Sequence, residues 1–324
     1  MSDPSVSVVM ATQDATSEVS KCLDSLASQT LQQEVEVIIA DCSTDGTERF
    51  IATKHPAVRL LHFPKPLNKP ELLKRALQEA RGSIVVVTDH HCRFPSDWLE
   101  KLWRKHDTEF AVIGGAVEYA GSNSLVSWAC YFADYGPFML PASRRITSFL
   151  AGNHVSYKRS LIQESLDSMP DGFWKVFFHW DLERKGIRCL FDPELVIACV
   201  QCETFWGFVR RYYRNGQYFA AMRCRRISPA ARFLHLVTTP LLPPLLLYRR
   251  LDAVRRKKKN RATLLFAVPL LATFVVSWSV GELRGYLFGP GSRFPSWQGQ
   301  DPPAGRSEHE LSCRCAPGPR SRGT

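Results

Sequence analysis

The sequence predicts an α/β protein on a mainly parallel central sheet, followed by C-terminal helices that lie in, or cross, a membrane. Three observations lead there. Strand-like runs alternate with helical patterns through the first hundred residues. The continuous apolar run at 84–87 has the character of a strand covered on both faces. The last third of the chain sets long apolar segments beside a dense block of basic residues.

Residues 6–10 form a β-branched run, and between 18 and 31 the residues Val19, Cys22, Leu23, Leu26 and Ala27 recur at helical spacing. A second strand at 35–40 ends in Asp41-Cys42-Ser43-Thr44-Asp45-Gly46-Thr47, a turn that leads into another helical stretch. A third strand follows at 58–63 and a third helix at 69–80. Gly82 then breaks the pattern before the run at 84–87, which ends at Asp89. The order becomes less regular beyond this point. A strand is expected at 110–117, a turn entering a helix at 152–159, a helix at 173–185 stopped by Gly186, and a strand at 189–200.

The chain has 324 residues, 45% hydrophobic and 23% charged, which excludes a disordered, collagen-like or all-membrane protein and a small disulfide-stapled module. Its net charge of +11 is unevenly placed. Residues 1–202 carry 21 basic against 25 acidic groups, 203–261 carry 15 against 2, and 262–324 carry 6 against 4. Basic residues beside apolar segments suit a membrane rich in anionic lipid, whereas nucleic acid is disfavoured because neither zinc-finger spacing nor an RNA-binding aromatic signature accompanies the charge. Residues 262–280 are uncharged and long enough for one span, while 233–248 are interrupted by Pro240, Pro243 and Pro244 and read as interfacial or re-entrant. The eight basic residues of 249–261 should face the cytoplasm. No basic-then-apolar leader opens the chain, so the first domain is expected on the cytoplasmic face, held by a single pass or a peripheral hairpin. The expected units are a catalytic domain at 1–204, a basic interfacial region at 205–261, a transmembrane helix at 262–288 and a disordered tail at 289–324. The ten cysteines lack a repeated spacing and read as reduced structural thiols.

Carboxylates at strand ends suit a nucleotide diphosphate, which needs acceptors for base and ribose and a hard cation on its phosphates. The stretches Val37-Ile38-Ile39-Ala40-Asp41-Cys42-Ser43-Thr44-Asp45-Gly46-Thr47 and Val85-Val86-Val87-Thr88-Asp89-His90-His91 resemble a family 2 glycosyltransferase with the GT-A fold. The resemblance covers roughly residues 4–225. It implies that Asp41, with Ser43 and Asp45 in the same element, binds the nucleotide, and that Asp89 falls at the family's metal motif. The second carboxylate of that motif is absent, leaving His91 as second ligand for Mn²⁺ or Mg²⁺. Asp45, Gly46 and Thr47 also have the residue types of a turn and helix cap.

Gly152-Asn153-His154 resembles the family's acceptor-side element, placing Asn153 and His154 near the acceptor. Lys175 stands where the family has its catalytic carboxylate. An ammonium is no base unless its pKa is lowered by several units, so His179 and Asp181 are the expected substitutes, with Asp171 a further carboxylate nearby. The implied activity is inverting, non-processive transfer of a sugar from a nucleotide-diphosphate sugar to a lipid-linked or cell-envelope glycan acceptor. Lys175 leaves open a weakened protein that binds nucleotide sugar without efficient transfer. A pyrophosphorylase or a dinucleotide dehydrogenase is disfavoured, since Ala11-Thr12-Gln13-Asp14-Ala15 contains no glycine.

Overall fold

Four strands start the sheet, of which the first and fourth in chain order are wholly buried because neighbouring strands and helices cover both of their faces. In the computed structural model, which describes residues 3–200 and 204–289, β1 (Val6–Thr12), β2 (Val35–Asp41), β3 (Arg59–His62) and β4 (Ile84–Thr88) run parallel in the order β3-β2-β1-β4. They are connected through α1 (Thr16–Ala27), α2 (Thr47–Lys54) and α3 (Lys69–Glu79). The start of α3 is set by a capping box in which Asn68 accepts from the Glu71 amide and the Glu71 carboxylate accepts from the Asn68 amide.

Beyond Asp89 come β5 (Cys92–Arg93), α4 (Trp98–Lys105), β6 (Val112–Tyr119), α5 (Leu125–Tyr135), β7 (Arg145–Ile146), β8 (His154–Lys158), α6 (Arg159–Leu166), α7 (Lys175–Arg184) and β9 (Cys189–Cys199). The sheet continues β4-β8-β6-β9-β5, with β7 also on β9. Strand β8 runs antiparallel to both β4 and β6, which inverts the direction at the middle of the sheet.

Two sequence expectations change here. Residues 154–158 form a central strand and the helix begins only at Arg159. The polar residues that suggested a turn are tolerated because their hydrogen bonds are met from distant segments: Ser156 donates to the Ile113 carbonyl and receives from His106 Nε2 at 2.8 Å. Helix α5, unforeseen in the irregular stretch before Arg145, is buried at Ala129, Cys130, Tyr131, Phe132 and Ala133, so it shows no polar stripe to mark its period.

The chain ends in α8 (Phe205–Cys224), α9 (Pro229–Thr238), α10 (Leu242–Arg255) and α11 (Arg261–Phe288). The prolines that were expected to break 233–248 sit in first helical turns, Pro240 in the short turn 239–241 and Pro243 and Pro244 at the start of α10, where a missing N–H costs little. Pro229–Arg255 and Arg261–Phe288 are both long and apolar enough to cross a membrane by length and composition. Helix α11 runs against α8 so closely that a β-carbon on Gly281 would fall 2.0 Å from the Tyr213 carbonyl oxygen, which only glycine permits. The seven described cysteines are free, six of them buried. Cys202 and the tail beyond Gly289 lie outside the described residues.

Candidate active site

The carboxyl ends of β1, β2 and β4 open onto one cleft, as parallel strands with helical crossovers require. Asp41 closes β2 in register with Thr12 and is fully buried. Its Oδ1 accepts from the Thr12 hydroxyl at 2.7 Å and from the Ser43 hydroxyl; its Oδ2 accepts from the Ser43 amide at 3.1 Å and contacts His62 Nδ1 at 2.8 Å. These contacts use the whole acceptor capacity of the carboxylate. Asp45 binds the Thr47 amide at 3.0 Å and its hydroxyl at 2.6 Å, and receives from Thr16 at 3.2 Å. It therefore fastens the loop after β2 to the first turn of α1, while forming the turn its type suggests.

Asp89 follows β4 and is only 5% exposed. Lys69, the first residue of α3, lies 2.5 Å from its Oδ1. Burial alone would raise the Asp89 pKa, but Lys69, His91 and Lys175 together outweigh it and hold the carboxyl well below its ordinary range. His91 is half-buried, and desolvation pushes its pKa down to about 3 despite the pull of Asp89. It is a neutral imidazole at physiological pH.

Lys175 opens α7, and its ammonium lies against Gly152, 3.2 Å from where a β-carbon would sit. Burial lowers its pKa to about 8, with Asp89 opposing the shift and Lys69 adding to it. Asn153 is buried, donates from Nδ2 to the Cys92 sulfur at 3.3 Å, and accepts from the Thr88 hydroxyl through its main-chain oxygen at 2.9 Å. Its Oδ1 accepts no hydrogen bond among the described residues. Gly152, Asn153, Lys175, Lys69, Asp89 and His91 thus gather on one side of the cleft.

Three expected site residues are engaged elsewhere. His154 is 1% exposed; Trp98 Nε1 donates to its Nε2 at 3.0 Å, and its Nδ1 lies 3.0 Å from the Ala116 carbonyl. His179 is buried with Nε2 at 2.8 Å from the Tyr157 hydroxyl. Asp181 is bound by Arg226, 2.9 Å from each carboxylate oxygen, and by Arg184 at 3.3 Å. Lys69 was not foreseen, because a lysine in the first turn of a helix has no local signal beyond its unfavourable position on the helix dipole.

A divalent cation at Asp89 and His91 finds an ionised carboxylate and a neutral imidazole, both competent donors. The second carboxylate of the expected motif is absent, and the donors clustered with His91 are the Cys92 and Cys199 thiols.

The model of glycosyl transferase family 2 matches residues 7–166. Among solved structures, the chain is similar to the mannosyltransferase PcManGT from Pyrobaculum calidifontis, solved in complex with GDP-Man and Mn²⁺. The identity is 20%, the TM-score 0.56, and the match covers 87% of this chain and 88% of that one, a likeness of fold. No curated protein matches the sequence.

Proposed function

Residues 7–166 belong to glycosyl transferase family 2, which makes the chain a glycosyltransferase of GT-A fold, and from that premise we propose inverting, single-addition transfer from a nucleotide-diphosphate sugar to a lipid-linked or cell-envelope glycan acceptor at a membrane surface. The observation that carries this reading is the convergence of Asp89, His91, Lys69, Lys175 and Asn153 at the strand ends beside the Asp41 loop. Asp41 serves the nucleoside by holding Ser43 and His62 in place, since its own oxygens are occupied. A divalent cation held by Asp89 would neutralise charge on the leaving diphosphate.

The acceptor hydroxyl oxygen bonds to the anomeric carbon of the donor. The bond from that carbon to the diphosphate breaks, and its electron pair leaves with the nucleotide. The hydroxyl proton passes to Lys175 in its neutral amine form, which burial favours by lowering the pKa to about 8. Asn153 orders the acceptor side.

The membrane reading rests on the outer face of the C-terminal helices. Phe233, Leu234, Val237, Leu241, Leu265 and Phe266 are exposed there, next to the basic stretch 249–261. The basic turn after α10 touches the catalytic domain, with Lys257 Nζ 3.1 Å from the Pro141 carbonyl, and α11 lies along α8. A peripheral hairpin lying on anionic lipid, with the catalytic domain on the cytoplasmic face, accommodates both contacts.

Thermal stability of the purified full-length protein, measured with Mn²⁺ and a panel of nucleotide-diphosphate sugars, tests the reading, followed by nucleotide release. Stabilisation by one donor class with acceptor-dependent release is the expected result. Stabilisation without release under any acceptor identifies a nucleotide-sugar binder, and the absence of any stabilisation overturns the assignment.

A further inference from the structure

Directly beneath Asp89 and His91, the antiparallel pair of β5 and β9 sets Cys92 opposite Cys199. Both residues are fully buried. A ring nitrogen of His91 and the two sulfurs all lie within 4.8 Å of one another, and the Val200 amide donates to the His91 carbonyl at 2.9 Å, tying the histidine to the end of β9. The geometry points to a His91–Cys92–Cys199 site for a thiophilic divalent ion of the zinc class.

Donors sharing one tetrahedral zinc ion lie within about 4 Å of each other, given Zn–S of about 2.3 Å and Zn–N of about 2.0 Å, so only small movements are needed. Two thiolates and an imidazole select zinc over magnesium, which prefers oxygen. Three protein donors leave a fourth position, as in catalytic rather than structural zinc sites. Asn153 supplies an outer contact, its amide donating to the Cys92 sulfur at 3.3 Å.

Zinc entering between Cys92 and Cys199 displaces both thiol protons to solvent. Half-buried His91 provides the way in from the cleft.

The site is separate from the diphosphate cation at Asp89 and does not depend on the transferase reading; binding is measured without turnover. Full-length protein, stripped of metal under reducing conditions, is titrated with Co²⁺ and then with Zn²⁺. One Co²⁺ per chain with a sulfur-to-cobalt charge-transfer band is expected, displaced by Zn²⁺ and not by Mg²⁺. Cys199→Ser should weaken the band and lower affinity about tenfold or more, and Asn153→Ala should lower affinity by about tenfold while keeping the band. On the wild-type protein, zinc should protect two thiols from alkylation, a readout that does not depend on the folding of any variant. A cobalt complex without the sulfur band, unchanged affinity in well-folded Cys199→Ser, or a Cys92–Cys199 disulfide in the reduced preparation overturns the site. Mn²⁺-supported nucleotide release in the same stripped protein keeps such a failure separate from failure of the transferase reading.

Discussion

The two halves of the sheet bury different kinds of polar group. Across β3, β2, β1 and β4, the buried carboxylate of Asp41 is met by donors from the adjoining strand ends and the loop after β2. Across β8, β6 and β9, with α4 and α7 packed on them, His106, Asn153, His154 and His179 are buried among apolar and aromatic side chains, while two lysines act on Asp89. The first half is built around a carboxylate whose oxygens are all met by donors. The second holds neutral imidazoles and a lysine whose pKa is shifted by burial, a state that lasts only while the surrounding fold keeps water out.

Acid should break the second half first, and this is the largest effect expected. Burial lowers His91 and His106 to about 3, and His154 and His179 to about 4. The unfolded chain takes up these protons near pH 6.5, so their contribution is complete above that pH and is lost as pH falls toward 4. The slope is about 1.4 kcal/mol per pH unit for each histidine. Hydrogen exchange followed from pH 7 to pH 4.5 should show β8 and α7 losing protection before β1 and β2; uniform loss would remove the contrast between the halves.

Substituting the two carboxylates separates framework from site. Asp41→Ala strands the donors around it and should cost about 3 kcal/mol, read as a lowered denaturant midpoint. Asp89→Ala should cost less stability, because Lys69 can turn to solvent, yet abolish cation-dependent nucleotide binding. The reverse pattern would exchange the two roles.

Lys175→Met should lower turnover by about a hundredfold or more while leaving donor affinity within a few-fold. The same change carries a stability signature. A lysine lowered to about 8 disfavours folding below that pH, and the penalty is relieved as pH rises from 8 toward 10.5, so wild-type stability gains with pH in that window and the variant should not. Smallest of all, Asp181→Asn loses only a partly exposed pair with Arg226 and should shift stability by about 0.5 kcal/mol, with turnover unchanged. A large loss of turnover would return Asp181 to the chemistry.

Much of the framework was legible in the sequence because its signals are local. The run at 84–87, the turn from Asp41 to Thr47 and the helix starting at Lys69 each depend on neighbours a few residues away, and each forms where its pattern lies. Strand β8 was not legible. His154 and Ser156 look like turn residues until Trp98, Ala116, His106 and Ile113 arrive from elsewhere in the chain to satisfy them. Helix α5 was hidden for a related reason, since apolar partners around it erase the polar face that marks a period.

The sequence by itself determined the alternation of strands and helices, the strand-end positions of Asp41 and Asp89, and the basic block beside the apolar helices, all properties of residue type and spacing along the chain. Tertiary structure alone decided that Asp41 would be saturated, that Lys69 and Lys175 would act on Asp89, that Lys175 would have a lowered pKa, and that Cys92 would face Cys199. Coulomb interaction and desolvation act through space, between residues far apart in the chain, and have no value until the fold brings those residues together.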